Sequence, residues 1–377
     1  MLHFGSKRRV ALTLNVVAPY RLPLIRRLAE EYHLRLFLSG KEDNRGVWSE
    51  YIQRKLEEFG VEQEKVWGIT LKVPRLLNGA LFDRRYVHIN PGYFSALLRF
   101  QPDAIISNEM GFRSAVAVFY GYLFRKPVWV WWGGTAHTER SISPLKRAWR
   151  RLFAKLVKRW ISYGQTSTEY LLSLGVSRER ILQIQNCVDE SLFLDQHSPS
   201  LQIEPKPVFL YVGQLIKRKG IDLLLTASSK VQRKGYKFSL LLVGSGPEQH
   251  ALEVMAKELG LENVYFINER PPFEMPGIYR SADVFVLPTL EDVWGLVVNE
   301  ALWSGLPVLV SKYAGCAPEL VPETNVFDPL SPEDFEAALE RAIRQEIAPP
   351  DLSRLIPCQT VAEMLVRDLN AVLEGKE

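Results

Sequence analysis

The sequence predicts an α/β protein built from two doubly wound, Rossmann-like domains. Three observations carry this reading. The chain has 377 residues, too many for one ordinary domain of ~100–200. Short apolar runs alternate with longer amphipathic ones, the signature of parallel sheets covered by helices. A polar stretch with three prolines, residues 195–207, separates two blocks of this kind and reads as a linker or loop. Apolar residues make up 47% and charged residues 24%. Those globular proportions disfavour disorder, collagen-like structure and coiled coil.

In the first block, residues 9–17 read as a strand, 23–32 as a helix and 34–38 as a strand. Residues 104–107 read as strand, 114–124 as helix, 128–132 as strand, 160–163 as a short strand and 167–174 as helix. The basic Lys7-Arg8-Arg9 before an apolar run also resembles a signal peptide. The run is short, contains Thr13 and Asn15, and leads into Pro19-Tyr20-Arg21 rather than a small-residue cleavage site, so a buried first strand is preferred. The second block alternates in the same way. Strands are expected at 208–212, 238–243, 264–267, 284–287 and 307–310. Helices are expected at 220–231, 247–259, 297–304 and 332–345, with a last amphipathic helix at 358–373. The expected domains are 1–190 and 191–355, followed by a terminal segment, 356–377. Ligands in such sheets bind beyond the carboxyl ends of the strands.

No run of ~20 apolar residues occurs, so no spanning helix is expected. Cys187, Cys316 and Cys358 are far apart and form no CxxC pair, which disfavours a disulfide scaffold or a cysteine zinc site and fits a reducing compartment. The net charge of +4 conceals an asymmetry: residues 1–200 carry +12 and residues 201–377 carry −8. The densest stretch is 146–160, KRAWRRLFAKLVKRW, with seven basic residues and no acid. A basic amphipathic helix here either lies on an anionic membrane or packs its apolar stripe on its own domain. Nucleic acid is disfavoured because no recognition motif accompanies the charge.

Chemistry concentrates in residues 287–310, LPTLEDVWGLVVNEALWSGLPVLV. A strand ends, an acidic pair Glu291-Asp292 follows, and Val293-Trp294-Gly295-Leu296 opens a helix carrying Glu300. Amides at a helix start form an anion site, and a glycine there admits close approach of a ligand. Acids on either side suit a diphosphate-linked sugar, one for sugar hydroxyls and one for ribose hydroxyls. A second segment, 209–222, FLYVGQLIKRKGID, places Lys217, Arg218 and Lys219 beside a helix start, where they would neutralise a diphosphate.

These segments resemble the retaining GT-B-fold glycosyltransferases of family four, also called glycosyl transferases group 1. The family's E-G-F-G-L-x-x-x-E-A-x-x-x-G-x-P-V is matched by D-V-W-G-L-V-V-N-E-A-L-W-S-G-L-P-V. The resemblance implies a GT-B fold, two domains facing a central cleft: 1–190 binding the acceptor and 191–355 binding the nucleotide sugar, with 356–377 as a C-terminal return helix crossing back to the first. By position, Glu300 would bind the ribose. Asp292, with Glu291 one place earlier, would bind the donor sugar. The backbone of Trp294, Gly295, Leu296 and Val297, with Val293 beside it, would hold the sugar and diphosphate. The family's G-R-L…K-G-x-D places Gly213 at a turn and Lys219 on phosphate. Gln214 stands where arginine is usual, and Arg218 is the candidate substitute. Weaker echoes are Leu242 to Pro247 and Gln185 to Asp189, where Cys187 stands for the usual glycine. The family's glycine loop after strand one is absent, and Arg21 is the residue offered for its phosphate contact. The Gly133-Gly134 turn before His137 resembles the family's histidine segment near the donor sugar. Trp131 or Trp132 could stack on an acceptor or lie in the core, and Glu109 could meet the acceptor.

The resemblance implies a retaining hexosyltransferase that moves a sugar from a nucleotide-diphosphate sugar, UDP-linked by preference or GDP-linked, to a lipid-linked or polysaccharide acceptor. Such chemistry belongs to lipopolysaccharide or exopolysaccharide synthesis at the inner face of the cell membrane, in the cytoplasm. No D-x-D or E-x-D occurs, so no metal is expected and Lys219, Arg218 and backbone amides would stabilise the leaving diphosphate. No cofactor beyond the donor is expected, and the oligomeric state is left open. The competing readings are a nucleotide-sugar epimerase of the same architecture and a non-catalytic glycan- or lipid-binding protein.

Overall fold

The computed structural model describes residues 7–40, 49–77, 80–194 and 199–376. It divides into two compact units. The first comprises residues up to Val73, Arg85–Cys187 and the terminal segment from Ile356. The second comprises Pro74–Arg84 and Val188–Leu355. Residues 74–84 thus group with the second unit, although sequence reading left them undivided from the first.

In the first unit β1 (Arg9–Leu14), α1 (Leu22–Glu31), β2 (His33–Leu38), α2 (Ser49–Glu58) and β3 (Glu62–Lys65) come first. A two-stranded ribbon follows, β4 (Ile69–Leu77) and β5 (Ala80–Ile89), of which residues 74–84 group with the second unit. Then come α3 (Gly92–Phe100), β6 (Ala104–Asn108), α4 (Phe112–Phe124), β7 (Val128–Trp132), α5 (Pro144–Leu156), β8 (Arg159–Ser162), α6 (Gln165–Ser173) and β9 (Ile181–Gln183). The main sheet is parallel in the order β3-β2-β1-β6-β7-β8-β9. The order reverses at β1, as a doubly wound sheet requires. β1 reads RVALTL with no acid and one terminal base, and five of its six residues are buried because both faces are covered. Trp129, Trp131 and Trp160 are fully buried in this sheet.

The second unit contains α7 (Ser191–Leu194), β10 (Val208–Val212), α8 (Ile221–Arg233), β11 (Ser239–Val243), α9 (Gln249–Glu258), β12 (Val264–Ile267) and α10 (Met275–Tyr279). It continues with β13 (Val284–Leu287), α11 (Leu296–Trp303), β14 (Val308–Ser311), α12 (Ala317–Leu320), β15 (Val326–Phe327) and α13 (Pro332–Ile343). Its sheet is parallel in the order β12-β11-β10-β13-β14-β15. β11 is SLLLV and wholly buried. Of the predicted linker, residues 195–198 lie outside the described residues. The rest is pinned: Ser200 N donates to Gly277 O (3.0 Å), Leu201 N to Ser281 Oγ (3.0 Å), and Ile203 is buried.

The last helix, α14 (Cys358–Leu373), packs on α1 of the first unit. Val361, Leu365 and Leu369 lie on its buried face. Trp129 Nε1 donates to Asp368 Oδ2 (2.6 Å) and Tyr32 Oη to Asn370 Oδ1 (2.8 Å). The return helix implied by the resemblance is therefore present. The basic stretch does not run as one helix to residue 160. α5 stops at Leu156, and Trp160 is a buried residue of β8. Among the described residues no helix is long and apolar enough to cross a membrane.

Candidate active site

β10 and β13 are adjacent and parallel, with Phe209 opposite Val284 and Leu210 opposite Phe285. Loops leaving their carboxyl ends must therefore meet. From β10 the chain passes Gly213 and Gln214 to a 3-10 turn, Lys217–Lys219, and enters α8 through Gly220. From β13 it passes Pro288 and the acidic pair to α11. The two loops lock together. Leu290 N donates to Arg218 O (2.9 Å), and a β-carbon on Gly220 would sit 2.2 Å from Pro288 O, so only glycine fits.

Lys219 Nζ reaches Asp292 Oδ2 at 2.5 Å, and each side chain is only 13% exposed. Burial opposes ionisation of Asp292, but Lys219 and Arg218 outweigh it and hold its carboxyl below the usual aspartate value. The Asp292 backbone is fixed by bonds to Tyr313 O (3.2 Å) and from Gly315 N (3.1 Å). Its Oδ1 accepts from Trp294 N (3.3 Å). Arg218 is already engaged: its Nη1 donates to Glu291 O (2.5 Å) and its Nε pairs with Asp83 (3.0 Å). Lys217 turns away to Asp222 (2.5 Å). Gln214 is exposed, and its carbonyl accepts from Tyr211 Oη (2.8 Å).

Gly295 caps α11 at φ 101°, a left-handed conformation that suits glycine. The amides of Leu296 and Val297 open the helix, where no intrahelical carbonyl is available to them. The Trp294 ring is buried, with Nε1 donating to Asn299 Oδ1 (2.9 Å), so this side chain builds the turn from below. Val293 is exposed beside it. One turn along α11, Glu300 Oε2 accepts from Tyr279 Oη (2.7 Å). Burial pushes the Glu300 carboxyl up to about 7, partly countered by the Tyr279 hydrogen bond. The second unit thus brings a lysine, an arginine, two kinds of acid and a helix start into one cluster. These groups can together engage a phosphate and vicinal hydroxyls.

Glu291 is spent differently from Asp292. Its carboxylate is buried and takes both nitrogens of Arg75 in a fork, Nη2 to Oε2 at 2.9 Å. Sequence reading found neither Arg75 nor Asp83, which lie over 130 residues before the loops they touch. It also gave no role to Tyr279, which lies just before β13.

Part of the chain is similar to a known family. Residues 194–356 match the family described as glycosyl transferases group 1. This region, less than half of the chain, is where the similarity to that family lies. It contains the whole cluster except Arg75 and Asp83. Among curated relatives, the GDP-mannose-dependent alpha-(1-6)-phosphatidylinositol monomannoside mannosyltransferase of Mycolicibacterium smegmatis is 37% identical over 124 residues, 31% of this chain and 32% of that one. The chain spans about a third of the length of the curated relatives it matches. Among solved structures, Anabaena Alr3699/HepE in complex with UDP and glucose is similar at TM-score 0.72 and 19% identity, covering 97% of this chain and 100% of that one. A putative UDP-N-acetylglucosamine 2-epimerase from Listeria monocytogenes is similar at TM-score 0.66 and 14% identity, covering 99% and 98%. The architecture is GT-B: two Rossmann-like parallel sheets, α/β throughout.

The matched region does not include the remaining candidates, which sit in the first unit near the carboxyl ends of its strands. His137 is partly exposed in the turn after β7, where Thr135 and Thr138 bond each other's main chain. A β-carbon on Gly133 would lie 2.2 Å from the Tyr163 ring, and one on Gly134 2.3 Å from the Trp132 ring. Both glycines are thus required by packing against aromatic side chains, whatever binds nearby. Arg21 is buried, bonded to Tyr163 Oη and lying over the Trp131 ring at 4.4 Å. Trp131 and Trp132 are both buried. Glu109 is exposed at φ 67° and pairs loosely with Arg113 (3.7 Å).

Proposed function

We propose that the chain transfers a hexose-type sugar from a nucleotide-diphosphate sugar to a lipid-linked or polysaccharide acceptor, with retention at the anomeric carbon and without a metal. The single observation that carries the reading is the convergence of Lys219 on Asp292 beside the start of α11. A diphosphate placed there would meet Lys219 and the Leu296–Val297 amides, which favour departure of the nucleoside diphosphate. Glu300 would accept from ribose hydroxyls and Asp292 from the sugar. The first unit would take the acceptor. UDP is the first donor to test, with GDP and ADP beside it, in a thermal-shift panel followed by product analysis with candidate acceptors. Lys219→Ala and Glu300→Ala should each lower transfer roughly 100-fold or more, since each removes a charged contact worth about 3 kcal/mol. Near-wild-type rates in either variant would count against this site.

The likeness to the Listeria protein favours one second reading, a nucleotide-sugar epimerase. Incubation with donor alone separates the two: an epimerase converts UDP-sugar without acceptor, and a transferase does not.

The acceptor reading extends to membranes. α5 presents Leu145, Trp149, Leu152 and Leu156 to solvent, spaced along one face, with Leu145 81% exposed. Arg147, Arg151, Lys155 and Lys158 are exposed around them. Its opposite side, Phe153 and Ala154, packs in the core. Arg150 belongs to that inner side: it pairs with Glu139 (2.9 Å) and covers the Trp132 ring at 4.4 Å. An apolar stripe edged by bases suits an anionic lipid surface, at about 1 kcal/mol per basic group. Replacing Arg147, Arg151, Lys155 and Lys158 by Gln should abolish sedimentation with phosphatidylglycerol vesicles and leave urea stability unchanged. Undiminished sedimentation would overturn the membrane reading.

A further inference from the structure

Resting on the donor reading above, we propose that Arg75 is a positioning residue for the nucleotide diphosphate, acting through Glu291. The loop after β13 carries two consecutive acids where a polyanion would bind. An uncompensated carboxylate in a poorly hydrated setting repels such a ligand strongly. The structure sorts the two acids. Asp292 faces Lys219, and Glu291 is taken by Arg75 in a two-point fork that a lysine could not reproduce. The Glu291 side chain is 7% exposed and that of Arg75 18%, so water screens this pair little. The guanidinium is backed by the Phe82 ring, 5.0 Å from its centroid. Asp83, one residue on, holds Arg218. Glu291 is also fixed through its main chain, with its carbonyl accepting from Thr289 Oγ1 (3.1 Å) and Arg218 Nη1 (2.5 Å).

The consequence is a division of labour. Glu291 is an anchor neutralised from the β4–β5 ribbon, and Asp292 alone is presented to the donor. Arg75 touches no reacting atom. It keeps the Glu291 charge away from the diphosphate and holds the loop in register.

The test is calorimetric titration of the full chain with UDP, GDP and ADP, followed by the tightest binder and its nucleoside on variants. Arg75→Ala should weaken the diphosphate at least tenfold and change nucleoside binding less than twofold. Arg75→Ala with Glu291→Gln, which removes the stranded charge, should return the diphosphate to within threefold of wild type. A purely structural Arg75 would shift urea stability without this selectivity. Should Arg75→Ala not fold, Arg75→Gln keeps the packing without the charge and is expected to lose at least fivefold for the diphosphate alone. Unchanged diphosphate affinity, or equal losses for diphosphate and nucleoside, overturns the role of Arg75. Wild-type protein that binds none of the three nucleotides overturns the donor reading instead.

Discussion

At the scale of single residues, Glu300 and Asp292 are pushed in opposite directions by different surroundings. Asp292 has cations beside it, while for Glu300 the Tyr279 hydroxyl is what offsets burial among the described residues. A carboxyl raised from 4.5 to about 7 favours its protonated form in the fold. Its stabilising contribution is complete below the unfolded value and is lost as pH rises through about 7. Replacing it by a neutral isostere should therefore help most in alkali. Glu300→Gln is expected to gain on the order of 3 kcal/mol more at pH 9 than at pH 4 in urea unfolding. The same difference at both pH values would mean that the carboxylate is not penalised by burial. Binding has the opposite sign, because only the ionised form accepts from two ribose hydroxyls. UDP affinity should fall as pH drops from 8 to 6 in the wild type and stay flat in Glu300→Gln. Asp292, held low, keeps its contribution until the pH falls below its usual value.

At the scale of elements, the strand–loop–helix from β13 to α11 was readable because its signals are local. An apolar run ends, acids follow, a glycine breaks the backbone, and helical spacing begins. Gly295 shows why the pattern is physical. At φ 101°, an added β-carbon would also meet Leu287 Cδ2 at 3.0 Å. Gly295→Ala should cost about 1–2 kcal/mol and weaken UDP binding, since the helix start carries the amides. Wild-type affinity with wild-type stability would show that the turn tolerates a side chain. The β4–β5 ribbon was not readable in the same way. Pro74 within the first run argues against a strand unless that strand is an edge, and in a two-stranded sheet both strands are edges. The Asn78-Gly79 pair between two runs rich in branched and aromatic residues was a usable hairpin signal. Nothing in spacing could have tied Arg75 to Glu291, because long-range ion pairs leave no periodic trace. α5 was legible as basic and amphipathic. Which apolar residues face inward was not, because Phe153 and Leu152 are neighbours and only packing assigns them to opposite sides.

At the scale of the molecule, the first unit is discontinuous in sequence and is completed only when α14 is in place. Its central tryptophan, Trp129, finds a hydrogen-bond partner in Asp368, 239 residues later. Tyr32 finds Asn370. α14 contributes Val361, Ala362, Leu365, Val366 and Leu369 to the core, so its loss would uncover the side of α1 on which it packs. Truncating a fully buried leucine there leaves a cavity that α1 and the helix can only partly close. Leu365→Ala and Leu369→Ala should each cost about 2–5 kcal/mol in urea unfolding followed by tryptophan fluorescence, which reports on the buried Trp129, Trp131 and Trp160. The cluster proposed to hold the donor lies wholly in the second unit. UDP affinity measured on the folded variants should therefore stay within threefold of wild type. A tenfold loss of UDP affinity in Leu365→Ala would mean that the donor cluster depends on the first unit for its shape, and the assignment of binding to the second unit alone would fall.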